Sequence, residues 1–191
     1  MRFQTLAVAV GLISAAFLSP SGASAQAAGA TTAAPAAAAR PGDVSSPDAI
    51  IGALYSSISG GAGEKRNWDR FRSLFVPGAR LIPTGGPPGK PARATMLSPD
   101  EYAQRAGPSL ERDGFYEVEI ARTTDQFGRI LHAFSSYASR RKLTDPAPFA
   151  RGINSIQLLN DGTRWWIVSV YWDGERPDNP IPAKYLAPGK P

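Results

Sequence analysis

The sequence predicts an α+β domain: helices packed on one face of a curved, mainly antiparallel sheet. Two observations carry this. Apolar residues recur at helical spacing between residues 47 and 108, and from residue 115 onward the period changes to two. The later strands are separated by turn signals and not by helices, so the order does not alternate strand with helix as a doubly wound nucleotide-binding fold would.

Each element has a local cause. Ser46-Pro47-Asp48 supplies an N-cap, a first-turn proline and an acid at the positive end of a helix, after which Ile50, Ile51, Leu54, Tyr55 and Ile58 form the apolar stripe and Gly60-Gly61 stops it. Asn67 caps a second helix with the stripe Trp68, Phe71, Leu74 and Phe75, ended by Pro77-Gly78. Residues 79–83 read as a short strand, and Gly85 to Gly89 as a loop. Ser98 and Glu101 make a capping box with proline between them, so a third helix carries Tyr102 and Ala106 until Gly107-Pro108 kinks or ends it. Strands follow over 115–124, 130–140, 153–159 and 164–172, the last two joined by the hairpin signal Asn160-Asp161-Gly162-Thr163.

Outside this unit the chain reads differently. Residues 1–25 have the form of a signal peptide, with Arg2, an apolar stretch from Leu6 to Leu18, and Ala23-Ser24-Ala25 as the cleavage site. Residues 26–46 are an Ala/Pro-rich leader without large apolar groups to repay ordering. The folded domain is expected over 47–186, followed by a tail at 187–191. The expected location is periplasmic or secreted, with no membrane span in the mature chain.

Composition removes several chemistries. The 191 residues include no Cys and one His, so disulfides, thiol nucleophiles and multi-histidine metal sites are excluded, and no metal or cofactor is expected. The net charge of +5 comes with no dense basic patch beyond Arg140-Arg141-Lys142, and no nucleic-acid partner is expected. The Gly85–Gly89 loop fails as a phosphate cradle, because Pro87 and Pro88 lack N–H donors and the Walker spacing is absent.

The order helix, helix, strand, helix and four long strands resembles the nuclear transport factor 2-like superfamily, which includes SnoaL-like polyketide cyclases, ketosteroid isomerases and scytalone dehydratase. The resemblance covers residues 47–186 and is carried by WDRFRSLFVPGARL (68–81), FYEVEI (115–120), the Ser135-Ser136-Tyr137 strand and GINSIQLLNDGTRWWIVSVYW (152–172). It is closest in kind to exported bacterial members of unassigned function. It implies a cone with a pocket between the helices and the concave sheet face, and dimerisation through the sheet is frequent in this superfamily.

Trp68, Phe71, Phe75, Tyr102, His132, Tyr137 and Trp165 are the candidate ligand-binding residues, the aromatics being readable first as core and His132 as a hydrogen-bonded, partly buried or edge residue. His132 sits between Ile130 and Phe134, where desolvation would favour a neutral base, and His132, Asp69 and Tyr102 are the catalytic candidates. Alternation puts Val118 and Ile120 on the buried face of their strand and Glu117 and Glu119 on the opposite one. Both faces of the last strand are apolar: Trp165, Ile167 and Tyr171 on one, Trp166, Val168, Val170 and Trp172 on the other. The second face is therefore expected to be covered by residues 177–186 or by another subunit, as a homodimer.

The function expected is binding of a small apolar ligand or an envelope partner. The alternatives are a cofactor-independent isomerase, dehydratase or hydrolase using His132 or a Tyr and Asp pair, and an assembly domain whose cone is filled with side chains.

Overall fold

The computed structural model describes residues 38–86 and 90–186; the expected signal peptide, residues 26–37 of the leader, Pro87 to Gly89 and the 187–191 tail lie outside the described residues. Three helices, α1 (Pro47–Ile58), α2 (Trp68–Arg72) and α3 (Pro99–Asp113), accompany six strands: β1 (Phe75–Gly85), β2 (Arg93–Ala94), β3 (Tyr116–Phe127), β4 (Ile130–Arg140), β5 (Ala150–Asn160) and β6 (Trp165–Gly174). The strands form one sheet in the order β2-β1-β6-β5-β4-β3. β1 runs parallel to β6 and every other pairing is antiparallel, so the mainly antiparallel α+β arrangement is found.

The helix starts follow their caps. The Ser46 side chain accepts from Ala49 N–H, Asn67 from Arg70 N–H, and Ser98 and Glu101 complete a reciprocal capping box. Two helix ends differ from expectation. α2 stops at Arg72 because Leu74 and Phe75 are drawn into the sheet: Ile167 N–H donates to the Leu74 carbonyl and Phe75 registers with Ile167. β1 consequently runs through Pro77-Gly78. α3 continues past Gly107-Pro108 to Asp113, its second half held by buried Leu110 and by Glu111, which accepts from Lys65, the Arg66 backbone and Trp68. It ends at Gly114, whose φ of 72° favours glycine and whose absent Cβ leaves room for the Arg141 carbonyl, 2.8 Å from where that atom would lie.

The core lies between the helices and the inner face of the sheet. Phe71, Ile50, Ile51, Leu74, Ile156, Leu158 and Ile167 are at most 1% exposed, each contributing roughly 1.5–3 kcal/mol by burial. A buried arginine closes the helical end. Arg66, 7% exposed, donates from Nε to the Ile58 carbonyl and from its Nη atoms to the carbonyls of Gly60, Gly61, Glu64 and Leu110.

Two β-bulges decide which side chains face inward. Between Glu119 and Ala121 the β3–β4 register slips by one residue, and on β6 Val168 is extra between Ile167, opposite Leu158, and Ser169, opposite Gln157. Straight alternation along β6 is thereby broken. Val170 and Trp172 join Trp165 and Ile167 on the inner side, leaving Trp166, Val168 and Tyr171 outside. This corrects the face assignment made from alternation.

The outer face is partly covered. Arg164 lies 3.6 Å over the Trp166 ring, and the C-terminal segment crosses the sheet to place Tyr185 against Phe134, centroids 4.9 Å apart, with Ser136 donating to the Tyr185 carbonyl. Within this segment Ile181 is buried, while Val168 and Tyr171 remain 38% and 48% exposed. Among the described residues no helix is long and apolar enough to cross a membrane.

Candidate functional site

A cavity of about 250 Å³ lies between the helices and the inner sheet face. Leu54 and Ile58 come from α1, Phe71 from α2, Tyr102 and Leu110 from α3, and the floor is made by Leu81, Val170 and Trp172. Phe115 and Phe149, centroids 6.2 Å apart, stand where the connection between β4 and β5 meets the end of α3; Phe149 is 51% exposed and marks the mouth. That volume falls between the roughly 150 Å³ that takes up benzene and the roughly 300 Å³ at which pockets for larger ligands begin, which suits one or two rings.

The aromatic wall is a contiguous set. Phe71 stacks on Tyr102 at 5.5 Å, and Tyr102 meets Trp172 edge-on at 6.2 Å. Trp68 and Phe75 buttress Phe71 from behind, at 5.5 and 4.8 Å, without lining the cavity. Gly152 fits this wall for a steric reason: a Cβ there would sit 2.4 Å from the Tyr137 hydroxyl and 2.5 Å from the Asp173 carbonyl.

One carboxyl group enters this apolar space. Glu117 lines the cavity, accepting from Ser139 Oγ at 3.1 Å and from Asn154 Nδ2 at 3.4 Å. Burial pushes its carboxyl up to about 7, against the opposing pull of these two hydrogen bonds. Glu117 and Glu119 thus stand on the inner face, and Val118 and Ile120, each 36% exposed, on the outer one, the reverse of the sequence expectation. The physical reason is that β4 and β5 present Ser135, Ser139 and Asn154 on the same face, so that the glutamates are satisfied inside.

A directed hydrogen-bond chain sets Asn154 in place. Asn154 donates to Tyr55 Oη at 3.0 Å, Tyr55 and Ser135 are 2.7 Å apart, and Ser135 donates to Glu119. Since the single Ser135 hydroxyl proton goes to Glu119, the Tyr55 hydroxyl donates to Ser135. Glu119 then pairs with Arg122 at 3.1 Å, and Arg122 with Asp48 at 2.7 Å. The second Asn154 N–H is left to Glu117. Burial raises the Glu119 carboxyl as well, with Ser135 and Arg122 pulling the other way. Tyr55→Phe should leave Ser135 and Asn154 short of a partner and lower stability by about 1–3 kcal/mol, read by urea denaturation. An unchanged unfolding midpoint would show that the chain is not a determinant of the fold.

Tyr102 and Tyr137 also line the cavity, and among the described residues no protein group engages either hydroxyl. Burial raises both phenols, and the charge on Glu117 adds to the effect, which places all three groups within reach of one another's fields.

The sequence candidates therefore divide. Phe71, Tyr102 and Tyr137 line the cavity; Trp68, Phe75 and Trp165 are packed elsewhere, Trp165 buried and its backbone N–H donating to the Val44 carbonyl. Asp69 is a surface acid, its side chain 79% exposed and paired with Arg72. His132 is on the outer face, its Nε2 2.9 Å from Ser155 Oγ and its ring beside Phe134. Asn154, Ser139, Phe115, Phe149 and Trp172 are lining residues that candidate selection by residue type passes over, and Glu117 is one that strand alternation sets aside. Polar residues at alternate positions of three adjacent strands, 117 and 119, 135 and 139, and 154, are the signal that points to them.

No protein-family model and no curated protein sequence matches the chain. Among solved structures it is similar to a protein of unknown function with a cystatin-like fold from Nostoc punctiforme, at 11% identity and a TM-score of 0.49, over 70% of this chain and 90% of that one. It is likewise similar to a putative calcium/calmodulin-dependent protein kinase II association domain from Xanthomonas campestris, at 16% identity and a TM-score of 0.49, over 68% and 86% of the two chains. A putative ketosteroid isomerase from Shewanella frigidimarina matches at 14% identity and a TM-score of 0.44, over 65% and 91%. These likenesses concern the fold, and the chemistry below rests on the side chains of the cavity.

Proposed function

We propose that this chain is an exported binding protein for a small molecule with an apolar, ring-containing body and one hydrogen-bonding group, held in the cavity with that group at Glu117. The observation that carries the reading is an aromatic-walled space of about 250 Å³ lined by one carboxyl group and by two tyrosines whose hydroxyls no described residue engages. The signal-like residues 1–25 support export. The two-ring probe 2-naphthol should raise the melting temperature, and Val170→Phe, which fills the floor, should weaken its binding by at least about ten-fold. Undiminished binding to a folded Val170→Phe protein would move the ligand elsewhere.

One observation favours a second reading, a cofactor-independent isomerase or dehydratase. A carboxyl titrating at about 7 is suited to take up and return a proton near neutrality, and the Tyr102 and Tyr137 hydroxyls could stabilise an oxyanion formed beside it. In that case Tyr102 serves as the sequence suggested, and Glu117 replaces His132 and Asp69 as the proton-transfer group.

A further inference from the structure

We propose that the ligand class of this cavity is an organic cation, an amine protonated at neutral pH and carried on an apolar ring-sized body. The inference rests on the ligand-cavity reading above and names what that cavity selects.

Its basis is the composition and arrangement of the walls. Six aromatic rings, Phe71, Tyr102, Phe115, Tyr137, Phe149 and Trp172, surround the space, and the charged side chain among the lining residues is the carboxyl of Glu117. Aromatic faces carry negative potential and attract ammonium groups, most strongly where water is excluded. A carboxylate among rings adds a counter-charge that, in this low-dielectric setting, is worth more than on the surface. An anionic ligand would meet that carboxylate and the ring faces with no compensating base among the described lining residues.

The same arrangement explains the state of Glu117 without ligand. Ser139 and Asn154 give it two donors, fewer than the carboxylate can accept, and burial opposes its charge. An ammonium group supplies the missing donors and the missing positive charge together, whereas an alcohol supplies one donor and no charge. Phe149 already shows the affinity of the rim for cations: the Arg141 guanidinium lies 4.4 Å from its ring centroid, anchored by donation to the Gly114 carbonyl.

The titratable groups facing Glu117 make the pH dependence readable. α1 presents Tyr55, α3 Tyr102 and β4 Tyr137, all raised by burial and neutral across the useful range, while β5 presents the neutral amide of Asn154. On the same strand, Glu119 is held by Ser135 and Arg122, and Arg122 in turn by Asp48. Asp173 on β6 acts on Tyr137. Arg141 lies at the rim, over Phe149.

The test uses three probes with closely similar skeletons, phenethylammonium, 2-phenylethanol and 3-phenylpropionate, measured by calorimetry on the folded chain at about pH 5.5 and about pH 8. At the higher pH the ammonium should bind at least about ten-fold more tightly than the alcohol, and the propionate should bind most weakly. The preference for the ammonium should shrink at the lower pH, as Glu117 takes up its proton. Glu117→Gln should abolish the preference, and Glu117→Asp should retain part of it; thermal melts establish that both variants are folded. Equal or tighter binding of the alcohol at the higher pH, or a preference unchanged in Glu117→Gln, overturns the cation assignment and leaves the ligand-cavity reading standing. If no probe binds and 2-naphthol fails as well, both readings fall.

Discussion

Glu117→Gln is expected to stabilise the protein at pH 8 by about 2–3 kcal/mol and to change it little at pH 4. The sign follows from proton binding. The unfolded carboxyl titrates near its ordinary value of 4.5, whereas burial holds the folded one to about 7. Between these values the folded state keeps a proton that the unfolded state has released, so stability declines as pH rises through the interval and levels off above it. Asp43 and Glu175, each held low by an arginine, act in the opposite sense as pH falls, and Glu119 in the same sense as Glu117. Comparing wild type with Glu117→Gln cancels those contributions. Urea denaturation at several pH values is the measurement, and parallel pH profiles for the two proteins would show that Glu117 is not the buried acid described. A destabilised cavity acid of this kind is what a binding site keeps at the expense of stability.

Arg66→Ala should act in the opposite direction, lowering stability by about 3–5 kcal/mol out of the 5–15 kcal/mol typical of a domain. The guanidinium reaches carbonyls at the last residue of α1, in the following loop and in the last turn of α3, where aligned peptide dipoles leave negative potential. Truncation orphans those carbonyls in a dry site and opens a void beside Ile58 and Leu110, both of which line the cavity. Lysine carries the charge but cannot reproduce a planar fork that serves five carbonyls, so Arg66→Lys should recover less than half of the loss. Equilibrium unfolding reads both variants, and a loss below about 1 kcal/mol for the alanine variant would place Arg66 among ordinary surface residues.

The local parts of this fold are legible in the sequence. Ser46, Asn67 and Ser98 cap the helices they announce, the 130–140 strand has the bounds that its period predicts, and the Asn160–Thr163 turn joins β5 to β6. Tertiary effects account for what is not. Leu74 and Phe75 satisfy a helical stripe and a strand edge equally well, and pairing with Ile167 decides for the strand. Pro108 argues for a helix end, yet Leu110 and Glu111 have enough partners beyond it to keep the turn. The bulge at Val168 reverses the faces of Val170 and Trp172, and no residue in that stretch advertises it. For the cavity, the aromatic candidates Phe71, Tyr102 and Tyr137 are recoverable from type and spacing. Glu117 is not, because a strand glutamate beside valine and isoleucine is ordinarily outside, and its partners Ser139 and Asn154 come from strands made later in the chain.

The parallel pairing of β1 with β6 has a consequence for biosynthesis. β1 leaves the ribosome with the two-residue β2 as its early partner, and the strand it must lie beside, registered Phe75 to Ile167, is made about ninety residues later. The cavity wall likewise draws on α1 at Leu54 and on β6 at Trp172. A nascent chain therefore carries Leu54, Phe71, Phe75 and Leu81 without their eventual floor until nearly the whole domain has been synthesised. The site comes into existence only with β6, and any premature stop before that strand yields a chain in which those residues have no cavity to enclose.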